Sequence, residues 1–212
     1  IEGRQLETVP MGLLVQLGSI VDFNVPMLET VFEKIGTPYK YEQFKDRLDR
    51  AKFWLEQCAP EQVNKLRATR NFEVWGELSD KEKEMISSLY SYMAKGGYTL
   101  DELNAELYAI PKRIFSEVTD QKELKGIQGK FFKTVYKLLI DKEQGPRLYL
   151  FLYAIEKDRF VHLLDFSYAQ TDDEKAIDEK AAASDMPLVE EKVYGEPDPV
   201  EPIKEEFVTI DD

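Results

Sequence analysis

The chain has 212 residues, 43% of them apolar, and its 12 Phe, 11 Tyr and 2 Trp can fill one large core or two small ones. Its single cysteine, Cys58, excludes an intrachain disulfide and a Cys-rich zinc site, and the simplest setting is a reducing cytosol. The net charge of −13 argues against a nucleic-acid partner only if taken whole: residues 169–212 hold 15 acidic and 4 basic residues, a net −11, whereas 112–159 hold 11 basic and 7 acidic, a net +4.

Ile1-Glu2-Gly3-Arg4 reads as a factor Xa recognition sequence, a cleavage remnant or a fortuitous match, and is set aside from fold reasoning. Asn24 ahead of Pro26 suits a helix N-cap with proline in the first turn, and Met27, Leu28, Val31, Phe32 and Ile35 form its inward face. Gly36 ends this helix and Thr37-Pro38 breaks the chain. Residues 41–57 place Tyr41, Phe44, Leu48, Ala51 and Leu55 at helical spacing, with Lys45–Asp49 and Asp46–Arg50 as i,i+4 pairs on the wet side. Ser79-Asp80-Lys81-Glu82 and Thr99-Leu100-Asp101-Glu102 are capping boxes that each open a helix, with Gly96-Gly97 as the turn between them. Pro111 is expected to restart the chain near 112. A long helix is predicted from about Asp120 to Asp141, with Gly126–Gly129 as a point of breakage.

No window alternates with the period of a strand, and no Asn-Gly or Asp-Gly hairpin turn is present. The expected class is all-α, a helical bundle or cage, over 5–168. Residues 169–212 are acidic, hold four of the ten prolines and lack periodicity. They read as an acidic linker or disordered, largely irregular tail, with a short helix at 172–183.

Catalytic chemistry is hard to find. His162 is the only histidine and lies in "RFVHLLDF", where a partly buried structural role is the plain reading. No phosphate loop or Gly-x-Gly-x-x-Gly fingerprint occurs, and pairs such as Glu190-Glu191 lie in the tail, where nothing tunes their pKa. No catalytic residue and no metal site is assigned.

Two other patterns carry more. Lys130, Lys133 and Lys137 recur at i, i+3, i+7 on one helix face, opposite Ile127, Phe131, Val135, Leu138 and Leu139, with Phe132 and Tyr136 at the seam. A solvated face is the plain reading. The functional one is a phosphate-facing stripe flanked by aromatics that stack on unpaired bases. Then "DKEQGPRLYLFLYAI" (141–155) sets Gly145-Pro146-Arg147 before an apolar run. With Gly145 as cap and Pro146 at N1, Arg147 sits in the first helical turn, where an arginine is unfavourable unless an anion shares the free N–H groups. The plain alternative is an Arg147 stem over Tyr149 or an ion pair with Glu143.

The stretch "GKFFKTVYKLLIDKEQGPRLYLFLYAIEKDRFVHLL" (129–164) resembles the last helices of class I aminoacyl-tRNA synthetases of the lysine/glutamate group, above all the class I lysyl-tRNA synthetases. Residues 7–21, "ETVPMGLLVQLGSIV", are similar to the entry into that family's C-terminal domain. The resemblance implies a helical cage that binds the anticodon loop of a lysine tRNA. Carried over residue by residue, the RNA-binding positions are Gly145, Pro146, Arg147 and Leu148, with Tyr136 on the preceding helix; on that reading Lys130, Lys133 and Lys137 of the stripe, with Phe132 beside them, are expected to hold the RNA backbone. It also implies a cytoplasmic ligase whose ATP-using catalytic domain, with its His-x-Gly-His and Lys-Met-Ser-Lys-Ser signatures, has no counterpart in these residues. No cofactor is therefore expected in this piece, ATP belonging to the parent. "EEFVTIDD" at 205–212 resembles the lead-in to an appended tRNA-binding barrel. No membrane contact is expected. The rival readings are a helical protein-interaction scaffold with an acidic arm, and the equivalent domain of a glutamyl-tRNA synthetase.

Overall fold

The structure, a computed structural model, describes residues 8–60 and 63–184. The expected barrel lead-in, most of the acidic tail and the first residues lie outside that range. Ten α-helices form among the described residues: α1 (Met11–Ile20), α2 (Val25–Lys34), α3 (Tyr41–Cys58), α4 (Phe72–Glu77), α5 (Asp80–Lys95), α6 (Leu100–Ile114), α7 (Gln121–Ile140), α8 (Leu148–Ala154), α9 (Lys157–Phe160) and α10 (Asp172–Ser184), with a 3-10 turn at Val161–Leu164. The all-α expectation holds.

Local chemistry sets most helix starts. Asn24 accepts the Met27 N–H, and both capping boxes close, Ser79 with Glu82 and Thr99 with Glu102. Gly96 ends α5 at φ 67°, a left-handed turn that favours glycine.

Helices α5, α6 and α7 pack together. Helix α8 lies against α6 and α2, while α1 lies against α3. Phe32, Phe44, Phe131, Phe151 and Phe160 are fully buried in one continuous core. Leu28, Val31, Ala51 and Leu55 point inward as expected, whereas Met27 and Tyr41 are exposed.

Four local expectations are corrected. Pro111 does not restart the chain. It is buried inside α6, and the helix runs on because Phe115 N–H reaches the Pro111 carbonyl at 2.9 Å. Helix α7 is unbroken across Gly126–Gly129, held by the Asp120 cap and by buried Leu124, Phe131 and Val135 on its inner face. Lys45 pairs with Glu42 at 2.6 Å rather than with Asp49, and among the described residues Asp46 and Arg50 form no ion pair. His162 lies in the 3-10 turn and is exposed, not partly buried.

The helix expected at 172–183 forms as α10, and it is fastened to the body. Arg70 is buried and donates through Nε and Nη2 to both carboxylate oxygens of Glu174, at 2.9 and 2.7 Å. Its remaining donors reach the carbonyls of Asp165, Tyr168 and Ala169 at 2.8–3.0 Å. The guanidinium also stacks 3.7 Å from the Tyr168 ring centroid and 4.8 Å from that of Phe72. Thr69 donates to Asp178 at 2.6 Å. The body therefore holds α10 at Glu174 and Asp178, past the change of composition at 169.

Candidate functional site

The turn between α7 and α8 is braced at Asp141, Lys142, Glu143 and Pro146. Asp141 ends α7 in the left-handed conformation, φ 57°, and accepts hydrogen bonds from Arg67 and from Asn71 Nδ2. Arg67 and Asn71 are themselves buried, and the Arg67 N–H donates to the Leu139 carbonyl at 2.8 Å. Lys142 donates to the Val63 carbonyl at 2.5 Å and approaches Asn64 Oδ1 at 3.4 Å. Glu143 takes Lys137 at 2.9 Å and Lys133 at 3.5 Å. The Pro146 carbonyl accepts the Tyr136 hydroxyl.

Gly145 has a steric reason. A Cβ there would lie 2.9 Å from Tyr136 Cε1 and 3.2 Å from Ile140 Cδ1, inside the contact distance of real side chains. Burial pushes the Tyr136 phenol up to about 12, so it stays a protonated donor at any ordinary pH.

Helix α8 starts two residues later than expected, at Leu148 rather than Pro146. Arg147 has φ −50° and ψ 122°, outside the helical region, which makes it the N-cap and moves Pro146 outside the helix. Arg147 carries no side-chain capping bond, and its charge projects from a seven-residue helix. Among the described residues neither Gln144 nor Arg147 has a side-chain hydrogen bond or ion pair, and both are exposed. The expected alternative, an Arg147–Glu143 pair, is not formed, since Glu143 is engaged by two lysines.

The nine expected site residues thus divide. Pro146 and Leu148 are buried, Tyr136 is 8% exposed, and Phe132 is half-buried with its ring edge-on to Tyr108 at 5.3 Å. Tyr136, Pro146 and Leu148 build the turn and its support and offer little surface to a ligand, whereas Phe132 packs towards α6. Gly145, Arg147, Lys130 and Lys133 are exposed, and Lys137 is half-exposed.

The lysine row is real, and two carboxylates offset its three charges in part. Lys130 meets Glu82 at 2.5 Å, and Lys133 and Lys137 share Glu143. The Glu143 carboxyl is held below its usual range by the Lys137 hydrogen bond first and then by the neighbouring Lys137 and Lys133 charges. Burial raises the Glu82 carboxyl, but hydrogen bonds from Lys130 and Ser79 outweigh it and lower it on balance. An incoming polyanion would compete with these carboxylates for the three ammonium groups.

Sequence reasoning missed the groups around the turn. Gln144, Lys142, Asn64 and Gln16 line a cleft of about 560 Å³ against Val15, Gly145 and Pro146. Asn64 comes from the 63–71 segment and Gln16 from α1, so nothing local in sequence joins them. The three amides, Gln16, Asn64 and Gln144, offer donors and acceptors suited to the polar edge of a planar ligand.

No protein-family model matches the chain. Among curated proteins it is 29% identical over 152 residues to a lysine–tRNA ligase of Pyrococcus horikoshii, covering 69% of this chain and 27% of that one. It is 30% identical over 146 residues to a lysine–tRNA ligase of Borreliella burgdorferi (68% of this chain, 26% of that one). It is 23% identical over 170 residues to that of Picrophilus torridus (79% and 31%). The chain is thus related to part of the lysine–tRNA ligases, and it spans 20–27% of the length of the first three such relatives it matches.

Proposed function

We propose that this relative of the lysine–tRNA ligases is the anticodon-binding domain of a class I enzyme. In this reading the parent attaches lysine to tRNA with ATP in the cytoplasm, and this part holds the lysine anticodon loop. The rest of the parent supplies ATP chemistry, and a tRNA-binding barrel follows the acidic linker.

The observation that carries the reading is the turn at 141–147. Asp141, Lys142, Glu143 and Pro146 are each tied to the body, while Gln144 and Arg147 present unpartnered polar groups beside a polar cleft. A rigid frame that aims a few donors and acceptors outward is what reading unpaired bases requires. The lysines of α7 suit the complementary task of positioning the backbone, because phosphate contacts add affinity without sequence information. Their pairing with Glu82 and Glu143 predicts a modest affinity with a shallow salt dependence, since each RNA phosphate displaces a protein carboxylate as well as counterions.

A second reading, a protein-interaction scaffold, draws on Phe53, Trp54 and Met11, which are 65%, 43% and 38% exposed. Fluorescence anisotropy separates the two. The chain is titrated into a labelled lysine-anticodon stem-loop, a glutamate-anticodon loop and a scrambled loop, and the series is repeated with Arg147→Ala. Preference for the lysine loop, reduced by about 1–3 kcal/mol in the variant, supports anticodon reading. Equal losses on all three loops remove Arg147 from base reading, and no binding to any loop favours the scaffold.

A further inference from the structure

Two clefts meet on α1. The polar one at the 142–146 turn shares Val15 and Gln16 with a second, of about 390 Å³, lined by Met11, Gly12, Arg50 and Trp54. Both volumes fall in the range of small-molecule clefts, about 300–1,000 Å³. Because they share two lining residues, they lie side by side across α1, one towards α3 and the other towards the turn.

The two clefts differ in chemistry. At the α3 end, Arg50 and Trp54 are four residues apart and so share a helix face. Trp54 is 43% exposed, although an indole is among the most favourable groups to bury. Arg50 is exposed and, among the described residues, has no hydrogen-bond or ion-pair partner. At the turn end, Gln16 and Gln144 are exposed amides, and Asn64 lines the cleft although it is only 6% exposed. The one carboxylate there, Glu143, is neutralised by Lys133 and Lys137. A π-face with an adjacent cation followed by a row of amides matches successive unpaired nucleotides, with stacking and phosphate contact first and edge recognition next. An apolar protein partner would leave the amide row and Arg50 without use.

Resting on the anticodon-domain reading, we infer that this double cleft is the path of the single strand: one base stacks on Trp54 with its phosphate at Arg50, and a neighbouring base is read by Gln144, Gln16 and Asn64. Trp54 is then a binding residue and Gln144 a specificity residue, neither of them among the positions that family resemblance supplies.

Indole fluorescence provides the test. The second tryptophan, Trp75, lines neither cleft and is stacked on Phe166 at 4.2 Å and 4°. Titrating the full 212-residue chain with the lysine-anticodon stem-loop should quench its fluorescence, and Trp54→Phe should lose that quenching while keeping most of the affinity. Trp54→Ala should weaken binding roughly tenfold. Gln144→Ala should reduce preference for the lysine loop over a scrambled loop more than it reduces affinity for the scrambled one. Binding unchanged in Trp54→Ala, with no quenching in the parent chain, overturns the path. If Arg147→Ala still weakens the lysine loop in that case, the anticodon reading stands without it. No binding to any loop overturns both.

Discussion

Two groups of cations in this molecule answer to opposite rules. Arg70 is buried and fully used: five guanidinium N–H groups meet a carboxylate and three carbonyls, and aromatic rings cover its faces. Arg147 and Arg50 are exposed and unpartnered among the described residues. A satisfied buried arginine fixes structure and has nothing left to offer a ligand. An arginine held out by a braced turn does little for folding and keeps all its donors. The difference separates a charge spent on the fold from charges left available, without reference to any relative.

The largest expected effect is at Arg70. Arg70→Ala strands Glu174 and three carbonyls, and it should cost about 3–5 kcal/mol in urea unfolding. Arg70→Lys should recover only part of this, because an ammonium cannot make the planar fork. If Arg70→Ala unfolds like the parent chain, the clasp holding α10 is not structural.

The pH dependence comes next. The Arg70 hydrogen bond, outweighing burial, holds the Glu174 carboxyl down to about 2. A depressed carboxyl stabilises the fold above its unfolded value near 4.5, and that stability is lost as pH falls from there towards 2. The loss should be at most about 3 kcal/mol, with solvent access to the pair lowering it further. Glu174→Gln should flatten this acid limb, as followed by thermal unfolding between pH 6 and pH 2.

Smaller effects belong to the turn. Tyr136→Phe leaves the Pro146 carbonyl without its donor and should cost about 1–3 kcal/mol. It should also loosen the turn and blunt loop discrimination. Arg147→Ala should leave stability within about 0.5 kcal/mol while lowering RNA preference, the reverse of Arg70→Ala. Replacing Lys133 alone should change stability by no more than about 1 kcal/mol, since Glu143 keeps Lys137.

Much of the helical scaffold was legible because its signals are local. Asn24, Ser79-to-Glu82 and Thr99-to-Glu102 are caps whose partners lie three residues away, and each closes as expected. The lysine row on α7 was equally plain, as was the apolar face behind it. Its partial neutralisation was not, because Glu82 lies 48 positions before Lys130 in another helix. The Arg70 clasp joins residues 104 apart, and "RATRN" has no periodicity to mark either arginine. The composition shift at 169 suggested a boundary, yet the acidic residues that follow include the ones Arg70 and Thr69 bind. At the turn, the rule that proline favours N1 gave way to a tertiary contact, the Tyr136 hydroxyl on the Pro146 carbonyl. The cleft was invisible for the same reason: Gln16, Asn64 and Gln144 come from three separate segments, and amides carry no sequence signature.

The most direct test of the whole account is hydrogen exchange of the 212-residue chain with and without the lysine-anticodon stem-loop. New protection is expected at 142–151, with a smaller effect at 12–16, and no change at the Arg70 clasp over 69–72 and 165–174. Protection confined to the clasp, or no protection anywhere at saturating RNA, would contradict it.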